Sequence, residues 1–432
     1  MSKRVAFYTL GCRANQYDTE MMKEGIRGSV RFEIVDFSSE PDVYVINTCS
    51  VTNGADRKSR QYIRRATRSG GIVLVTGCYV TLDEEEVKKI DGVDIIFSNG
   101  YKRNFKYVLE KALDGYKGTL QDRDLLDWNI DAERVSVDSA HSRAFLKVQD
   151  GCSQRCTYCK VRLLRGPTRS KSPDRVVDEA RRMADNGFKE LVLIGINLAE
   201  YCGDKQALAN LISRLDKLDE VKRIRLSSIN PQGISRGLVD ALAASDKTCP
   251  HLHIPLQSGS DRILERMARG YTVDYYMRKV ALLKNNLDRV TFGTDVLVGF
   301  PGETGEDVRM TERVLEEVRY INTHVFRYSP RAHTPAVKLE GRVNSAVKKE
   351  RSASLRKLAS SISLRKRKEF VGEKMEMILE EQSDRLHGWR GYSKNYMDLH
   401  LEENGKRGDF SPGSLLEVSL KEVREDYCLV EL

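Results

Sequence analysis

The sequence of 432 residues has no long hydrophobic run, and none of its apolar stretches approaches the roughly 18 residues that a membrane-spanning helix needs. Near its start there is no apolar segment followed by a small-residue cleavage site, so we expect no signal peptide. Internal repeats and low-complexity tracts are absent as well. These absences argue against a membrane protein and lead us to expect a cytoplasmic chain, whose length is typical of about three domains.

Cysteine is also sparse, since nine cysteines in 432 residues are too few for a secreted scaffold held by disulfides. In a reducing compartment most scattered cysteines are inert core residues. Three of the nine are different, because Cys152, Cys156 and Cys159 form a C-x3-C-x2-C pattern in one short loop. This spacing predicts a metal or cluster site.

The excess of positive charge is moderate: 72 Lys and Arg stand against 63 Asp and Glu, which gives a net charge of +9. Such an excess is compatible with a polyanionic partner. Residues 338–370 contain eleven basic and only three acidic side chains in a helical pattern. This segment is either a solvated helix face or part of a polyanion-binding surface.

The first part of the chain alternates apolar runs with helical patterns, which predicts a doubly wound α/β domain over residues 1–115. The expected parallel strands are Val5–Leu10, Val43–Ile46, Ile72–Val75 and Val93–Phe97. A polar, weakly patterned stretch follows, and we interpret residues 116–142 as a linker between domains.

Three cysteines lie just beyond strands of this predicted sheet. Cys12 follows the first strand by two residues, and Cys49 and Cys78 follow later strands by three. Because the carboxyl ends of parallel strands share one edge of a sheet, we expect the three thiols to converge there. The alternative is three unrelated buried thiols.

Residues 143–337 contain six apolar runs that alternate with helical patterns, which predicts a partial (β/α)6 barrel. The expected strands are Phe145–Gln149, Leu191–Ile196, Ile224–Ser228, His251–Leu256, Val290–Val298 and His324–Tyr328. The C-x3-C-x2-C loop directly follows the first of them. It therefore belongs at the barrel mouth, where active sites of such barrels are found.

A basic helical connector over residues 338–369 leads to short strands and Gly-rich turns, which predict a small closed β-barrel over residues 370–432. Small barrels often bind nucleic acid through aromatic and basic surface residues. The candidates are Trp389, Arg390, Tyr392, Lys394 and Tyr396. The alternative is that the aromatic side chains form the core of the barrel.

The cysteine loop suits a cluster better than a zinc ion. Structural zinc prefers four ligands, whereas this loop offers three thiols and no His or fourth Cys close by. A four-iron, four-sulfur cluster held by three thiolates keeps one iron open for a ligand that is not part of the protein.

Residues 152–159 (CSQRCTYC), at the start of a β/α barrel, resemble the radical S-adenosylmethionine signature. The resemblance implies that the open iron chelates S-adenosylmethionine, whose reductive cleavage releases a 5′-deoxyadenosyl radical. From family likeness and strand-end position we expect contacts to S-adenosylmethionine from Tyr158, Asn197, Ser228 and Gln257.

The three-domain arrangement resembles the methylthiotransferases over essentially the whole chain, with a TRAM-like domain at its C-terminal end. By this resemblance, Cys12, Cys49 and Cys78 ligate a second four-iron, four-sulfur cluster with an open iron. Two S-adenosylmethionine molecules are used per turnover, one to methylate a cluster-attached sulfur and one to activate a C–H bond of the substrate. All six cluster cysteines are then catalytic residues.

The amino-acid sequences of several segments resemble those of the family branch that modifies N6-threonylcarbamoyladenosine in tRNA. These are residues 10–20 (LGCRANQYDTE), 47–52 (NTCSVT), 165–170 (RGPTRS) and 251–259 (HLHIPLQSG). The implied product is 2-methylthio-N6-threonylcarbamoyladenosine next to the anticodon. The resemblance also leads us to expect a flavodoxin- or ferredoxin-like electron donor and a monomer.

Other substrates remain open. The same chemistry could act on isopentenyladenosine in tRNA or on a ribosomal protein. A third alternative, from another class, is a non-catalytic RNA-binding protein whose cysteines hold zinc.

A basic segment directly after the Cys49 loop agrees with an RNA substrate, since residues 57–68 contain no acidic side chain. The candidate tRNA contacts in it are Arg57, Lys58, Arg60, Arg64 and Arg65. Phosphate contacts of this kind add up and depend on salt. The alternative is an ordinary solvated helix face.

Overall fold

The computed structural model describes residues 2–50, 52–121, 129–136, 142–383, 387–402 and 410–432. The chain forms two compact units, one of residues 1–139, 145–153 and 160–179, the other of residues 140–144, 154–159 and 180–432. Both units are therefore assembled from several stretches of chain. Of the predicted linker 116–142, residues 122–128 and 137–141 lie outside the described residues.

The first unit is built on a six-stranded sheet in the order β2-β1-β3-β4-β5-β6, in which all neighbours are parallel. Its strands are β1 (Lys3–Thr9), β2 (Phe32–Val35), β3 (Val43–Thr48), β4 (Ile72–Gly77), β5 (Ile95–Phe97) and β6 (Gly118–Leu120). Apolar clusters cover both faces of the sheet. Two strands were not predicted: β2 is short and half exposed, and β6 lies inside the predicted linker.

The α-helices that begin in the described part of the first unit are α1 (Arg13–Glu24), α2 (Asn53–Thr67), α3 (Cys78–Lys88), α4 (Phe105–Leu113), α5 (Val161–Arg165) and α6 (Pro173–Asp185). Short 3-10 helices span Asn99–Asn104 and Ile130–Ala132. Three further strands are β7 (Ala144–Lys147), β8 (Gln149–Asp150) and β9 (Arg169–Ser170), of which β8 and β9 pair antiparallel.

The second unit continues the predicted β/α alternation. Its parallel strands are β10 (Glu190–Ile194), β11 (Arg223–Leu226), β12 (His251–His253), β13 (Thr291–Val298) and β14 (Asn322–Arg327). The helices are α7 (Ala207–Leu215), α8 (Arg236–Ala243), α9 (Asp261–Arg266), α10 (Val273–Lys284), α11 (Gly305–Val318) and α12 (Ser345–Lys368). The 3-10 helices are Leu198–Gly203, Pro231–Gly233 and Pro335–Lys338. The strands β10 and β11 pair with each other, and β12, β13 and β14 form a continuous sheet.

The last part of the chain forms a closed barrel in the order β15-β16-β17-β19-β18. Its strands are β15 (Lys374–Ser383), β16 (Gly388–Ser393), β17 (Asp398–Glu402), β18 (Leu415–Val423) and β19 (Cys428–Glu431). A cluster of buried apolar residues fills it. In the part of the chain that the structure describes, no helix is long and apolar enough to span a bilayer.

Candidate active site

Cys12, Cys49 and Cys78 all follow strands that are neighbours in the first unit's sheet. Cys12 caps the start of α1 after β1, Cys49 follows β3, and Cys78 is the first residue of α3 directly after β4. Cys12 is exposed, whereas the other two are buried. The parallel register of β1, β3 and β4 brings their carboxyl ends together.

The backbone beside these thiols has no room for another side chain. Gly11 has φ +107°, and a Cβ atom there would lie 2.8 Å from the Sγ of Cys49. Gly77, with φ +101°, packs so tightly on Thr48 that a Cβ atom would overlap its backbone. Only glycine adopts this backbone without strain, so the two glycines keep the strand ends close.

The spacing of the three sulfurs argues against one zinc ion. Thiolates around a tetrahedral zinc lie about 3.8 Å apart, given a Zn–S distance of about 2.3 Å. Among the described residues, the one group of His, Cys, Asp and Glu whose ligand atoms all lie within 4.8 Å of one another is in the second unit and contains no cysteine. At least one pair of the three strand-end sulfurs is therefore farther apart than 4.8 Å.

A fully buried group of charges lies near these cysteines. Asp18 on α1 accepts hydrogen bonds from Lys102 Nζ at 2.9 Å, Lys147 Nζ at 2.7 Å and Arg165 Nη2 at 2.9 Å. Arg165 also donates to Asp150 at 2.7 Å. Burial alone would raise the pKa of Asp18, but these three cations outweigh it and hold that pKa well below its usual range.

The same cations act on the nearest thiol. Burial raises the pKa of Cys78, a negative charge on Cys12 adds to this, and Arg165 and Lys102 oppose it. Positive charge close to a thiol favours the thiolate, which is the form that binds metal. Sequence reasoning found the cysteines but missed Lys102, Asp18 and the role of Arg165, because isolated charges carry no pattern.

The C-x3-C-x2-C loop is held by backbone hydrogen bonds. In the first unit, Cys152 N donates to Gly166 O at 3.2 Å. In the second unit, Thr157 N donates to Met267 O at 3.0 Å, and Thr157 O accepts from Ala336 N at 2.9 Å. The three thiols are partly exposed, so their sulfurs are accessible.

Arg269 connects this loop to Asn230, which follows β11, and to Tyr271, which lies between α9 and α10. Its Nη1 lies 3.3 Å from the Sγ of Cys156, its Nη2 donates to Asn230 Oδ1 at 2.6 Å, and its Nε donates to Tyr271 Oη at 3.0 Å. Arg269 is buried. Sequence reasoning missed it, and its place just after α9 was the only signal.

The predicted S-adenosylmethionine contacts follow strand ends or belong to the cysteine loop. The Tyr158 ring meets Phe300 edge to face at 6.4 Å, and burial raises the pKa of Tyr158 well above its usual range. Asn197 caps a 3-10 helix, and Ser228 follows β11. Gln257 adopts φ +68° and pairs with β13. Their contact with a ligand stays a prediction.

Comparison with known proteins gives relatives along nearly the whole chain. The chain is 38% identical to the threonylcarbamoyladenosine tRNA methylthiotransferase MtaB of Bacillus subtilis, over 91% of this chain and 89% of that protein. It is 37% identical to the protein of the same name from Aquifex aeolicus, over 92% of this chain and 97% of that one. The chain belongs to the radical S-adenosylmethionine methylthiotransferase family. It is also 35% identical to the tRNA-2-methylthio-N(6)-dimethylallyladenosine synthase of Pelotomaculum thermopropionicum, over 90% of this chain and 89% of that one.

Family models and solved structures agree with this assignment. Residues 146–315 of the methylthiotransferase match the Radical SAM superfamily, and residues 4–98 match Uncharacterized protein family UPF0004. The fold resembles the radical S-adenosylmethionine methyltransferase TsrM of Kitasatospora setae, with TM-score 0.59 and 14% identity over 78% of this chain and 74% of that one. The predicted fold class is confirmed, including the closed five-stranded barrel of TRAM-like type. Family membership implies one four-iron, four-sulfur cluster and S-adenosylmethionine.

The basic candidates on α2 of the methylthiotransferase form an exposed surface. Arg57, Lys58, Arg64 and Arg65 are exposed, whereas Arg60 is half-buried and donates to Tyr79 Oη at 2.9 Å. Thr52 caps the helix by accepting a hydrogen bond from the backbone of its first turn. The helix therefore presents four exposed cationic side chains on one element.

The candidates in the closed barrel are different, and the interpretation of Trp389 as a surface residue was wrong. Trp389 is buried in the barrel core, since its position on β16 points inward. Arg390 is paired with Asp398 and Glu381. Lys394 donates to the backbone oxygen of Asp246 at 3.0 Å.

Proposed function

We propose that this methylthiotransferase acts on tRNA and inserts a methylthio group at C2 of N6-threonylcarbamoyladenosine. The observation that carries the methylthio chemistry is a second set of three thiols, Cys12, Cys49 and Cys78, at the ends of neighbouring parallel strands. The names of the relatives at 38% and 37% identity support the substrate. The product is 2-methylthio-N6-threonylcarbamoyladenosine.

The chain offers two ligand sets for this chemistry. Cys152, Cys156 and Cys159 would hold the cluster that binds S-adenosylmethionine, and the three strand-end cysteines of the first unit would hold a second cluster. When bound, these groups supply reductive cleavage of S-adenosylmethionine and the sulfur that is methylated and transferred. The electron source we propose is a flavodoxin- or ferredoxin-like protein.

Neighbouring residues position both sets of cysteine ligands. Burial raises the pKa of the Cys78 thiol, and the positive charges of Arg165 and Lys102 partly offset this effect. Gly11 lets the backbone approach the Cys49 sulfur closely, where a Cβ atom would lie 2.8 Å from that sulfur. Arg269 fixes Cys156 by a contact of 3.3 Å and anchors it to Asn230. These contacts orient the ligands before any cluster is bound.

The exposed cations of α2 are the proposed contact to the tRNA backbone. Arg57, Lys58, Arg64 and Arg65 form a row of positive charge, and phosphate contacts supply most of the non-specific affinity for nucleic acid. Sequence-specific RNA readers take unstacked loop bases, and an anticodon loop presents such bases.

The test is an anaerobic assay of reconstituted protein with S-adenosylmethionine, a chemical reductant and tRNA that carries threonylcarbamoyladenosine. Mass spectrometry of the digested RNA should detect the methylthio nucleoside, together with 5′-deoxyadenosine. Cys156→Ala should abolish 5′-deoxyadenosine, and Cys49→Ala should abolish the methylthio nucleoside. The matched control is Cys202→Ser, an exposed cysteine outside both sets, which should retain both products.

Isopentenyladenosine tRNA is the second candidate substrate, because a relative at 35% identity is named for the dimethylallyl nucleoside. Methylthiolation of that tRNA alone in the same assay would contradict the proposed substrate and keep the chemistry. Absence of 5′-deoxyadenosine from protein that holds both clusters would contradict the chemistry itself.

A further inference from the structure

One face of the β12–β13–β14 sheet carries an unusual set of polar side chains. The register pairs His253 with Gly293, Asp295 with His324, and Leu297 with Phe326. Alternate residues along a strand point to the same side, so these six positions share one face. On the opposite face Phe292, Val296 and Val325 are buried.

The closed barrel covers one end of this face. The His251 ring stacks on Tyr396 at 5.0 Å, and Thr291 Oγ1 donates to the backbone oxygen of Asn395 at 2.8 Å. Asn322 donates to the backbone oxygen of Tyr396 at 3.3 Å. These contacts cover the amino-terminal end of the sheet face. The polar side chains lie further along the strands, toward their carboxyl ends.

His253, Asp295 and His324 form a compact group, here named the face triad. One ligand atom from each lies within 4.8 Å of the others, and His253 Nε2 is 3.2 Å from Asp295 Oδ2. Gly293 makes room for this contact, since a Cβ atom there would lie 2.8 Å from His253 Nδ1. Asp295 is 25% exposed and His324 is exposed, so the triad is open to a ligand.

The face triad is next to an exposed aromatic ring and leads toward the cysteine loop. Phe326 is 44% exposed, and its ring lies 6.3 Å from His324. Leu297, two residues beyond Asp295 on the same face, packs against the same apolar cluster as Tyr158. Tyr158 lies between Cys156 and Cys159, so the sheet face of the triad and this part of the cysteine loop border the same apolar cluster within the second unit.

This combination suits a nucleobase with a polar substituent. An unstacked base gains affinity by stacking on an aromatic side chain. A threonylcarbamoyl group carries ureido N–H and C=O groups, a hydroxyl and a carboxylate, all of which can hydrogen-bond to imidazole or carboxylate side chains. An isopentenyl group is a hydrocarbon and offers the triad no hydrogen bond. Its binding would desolvate three polar side chains without compensation.

We propose that the face triad and Phe326 bind the target adenosine, with the base on the Phe326 ring and the triad hydrogen-bonded to its N6 substituent. The inference rests on the proposed function and deepens it, because it assigns the choice between threonylcarbamoyladenosine and isopentenyladenosine to these side chains. His324 is the residue we expect to determine specificity.

The test measures affinity of the two-cluster enzyme for anticodon stem-loop RNAs that carry threonylcarbamoyladenosine, isopentenyladenosine or unmodified adenosine. His324→Leu should weaken binding of the threonylcarbamoyl RNA by about 10- to 100-fold, the range expected when a hydrogen bond to a charged group is removed. Binding of the other two RNAs should change little. His324→Gln should restore part of the preference, since its amide still donates and accepts.

The control is His387→Gln, an exposed histidine in the closed barrel, which should keep the wild-type preference. Iron content of each variant reports intact folding. A wild-type preference that survives in His324→Leu would overturn the inference while leaving the proposed function intact. A wild-type enzyme that neither prefers nor modifies the threonylcarbamoyl RNA would instead overturn the proposed function.

Metal analysis tests whether the face triad binds a metal ion instead of the target adenosine. Two histidines and one carboxylate also form a common ligand set for divalent metals. If the wild-type enzyme holds a stoichiometric metal beyond its cluster iron, and His324→Leu loses it, the triad is a metal site and the base-binding inference is wrong.

Discussion

At the residue scale, Glu190 shows how buried ion pairs make stability depend on pH. Its carboxylate accepts from Arg225 Nε at 2.6 Å and from Arg223 Nη1 at 3.3 Å, and all three side chains are buried. Burial would raise the pKa of Glu190, but Arg225, Arg143 and Arg223 lower it to about 2. Because this pKa lies below the ordinary value of about 4.3, the pair stabilises the fold above that value and ceases to do so as the pH falls toward 2.

Glu190→Gln should therefore lower the thermal unfolding midpoint at pH 7, in line with about 3–5 kcal/mol for breaking a buried ion pair. The difference from wild type should shrink as the pH is lowered from 5 to 3, because the Glu190 carboxyl of the unfolded chain takes up a proton below about 4.3 while folded Glu190 stays ionised. Scanning calorimetry across this pH range measures the difference in unfolding midpoint between the variant and the wild type. Glu220→Gln, on the exposed surface, is the control, and an equal loss of stability at pH 3 and pH 7 would contradict the assignment.

Site residues that belong to a regular sequence pattern could be predicted from the sequence. Single residues that reach the site from a distant part of the chain could not. The six cysteines stand out by the C-x3-C-x2-C pattern or by their place after apolar runs. Arg269, by contrast, reaches Cys156 from 113 residues away. Likewise Lys147 reaches Asp18 from 129 residues away, and only tertiary packing determines such pairs.

At the scale of elements, α2 is the part of the chain that we expect to bind tRNA most directly. Replacing Arg57, Arg64 and Arg65 by Glu should weaken tRNA binding at least about tenfold at low salt. The slope of log affinity against log salt should fall by about 0.7 to 0.9 for each phosphate that the variant no longer neutralises. Fluorescence anisotropy with tRNA over a salt series measures both quantities.

The control places the same charge change on another surface. Lys217, Lys222 and Arg236 are exposed in the second unit, and their replacement by Glu should affect binding much less. Equal effects of the two triple variants would mean that only net charge matters and that α2 is a solvated helix face.

Elements were predictable where apolar periodicity sets them. The strands β3 and β4 match the expected ranges within a few residues. The strand β16 was missed, because its two glycines are typical of turns. Gly388 and Gly391 are needed there, since a Cβ atom at either would overlap the backbone of a neighbouring strand.

The basic helix α12 shows where charge counting misleads. Leu355 and Ile362 are buried against the second unit, and several of its cations already have partners. Arg351 pairs with Glu303, and Arg356 donates to the backbone oxygen of Val325 at 2.9 Å. Much of the charge in residues 338–370 therefore stabilises packing instead of forming a free surface for RNA.

At the scale of the molecule, the closed barrel is a structural part of the second unit. Arg223 donates to Glu376 at 2.6 Å, the Arg225 guanidinium lies 4.8 Å from the Tyr396 ring, and Arg143 donates to Glu380 at 2.6 Å. These arginines are buried. Removing the barrel would expose their apolar stems and leave their charges with fewer partners.

A chain that ends after residue 369 should therefore lose S-adenosylmethionine cleavage and thermal stability as well as tRNA affinity. An independent RNA-binding module would give a different result, with cleavage intact and only tRNA affinity reduced. Formation of 5′-deoxyadenosine without tRNA, measured next to the unfolding midpoint, distinguishes the two. Full cleavage by the shortened chain would show that the barrel contacts are dispensable.

The discontinuous make-up of the first unit also constrains how the protein is made. Asp18 is synthesised early, but its partners Lys147 and Arg165 are more than 120 residues later in the chain. Until those residues leave the ribosome, Lys102 is the one of its three cationic partners that can compensate the burial of the carboxylate. We therefore expect the six-stranded sheet to reach its final packing only after residue 165 has left the ribosome. The second cluster that we propose for Cys12, Cys49 and Cys78 would then be inserted no earlier than that stage of synthesis.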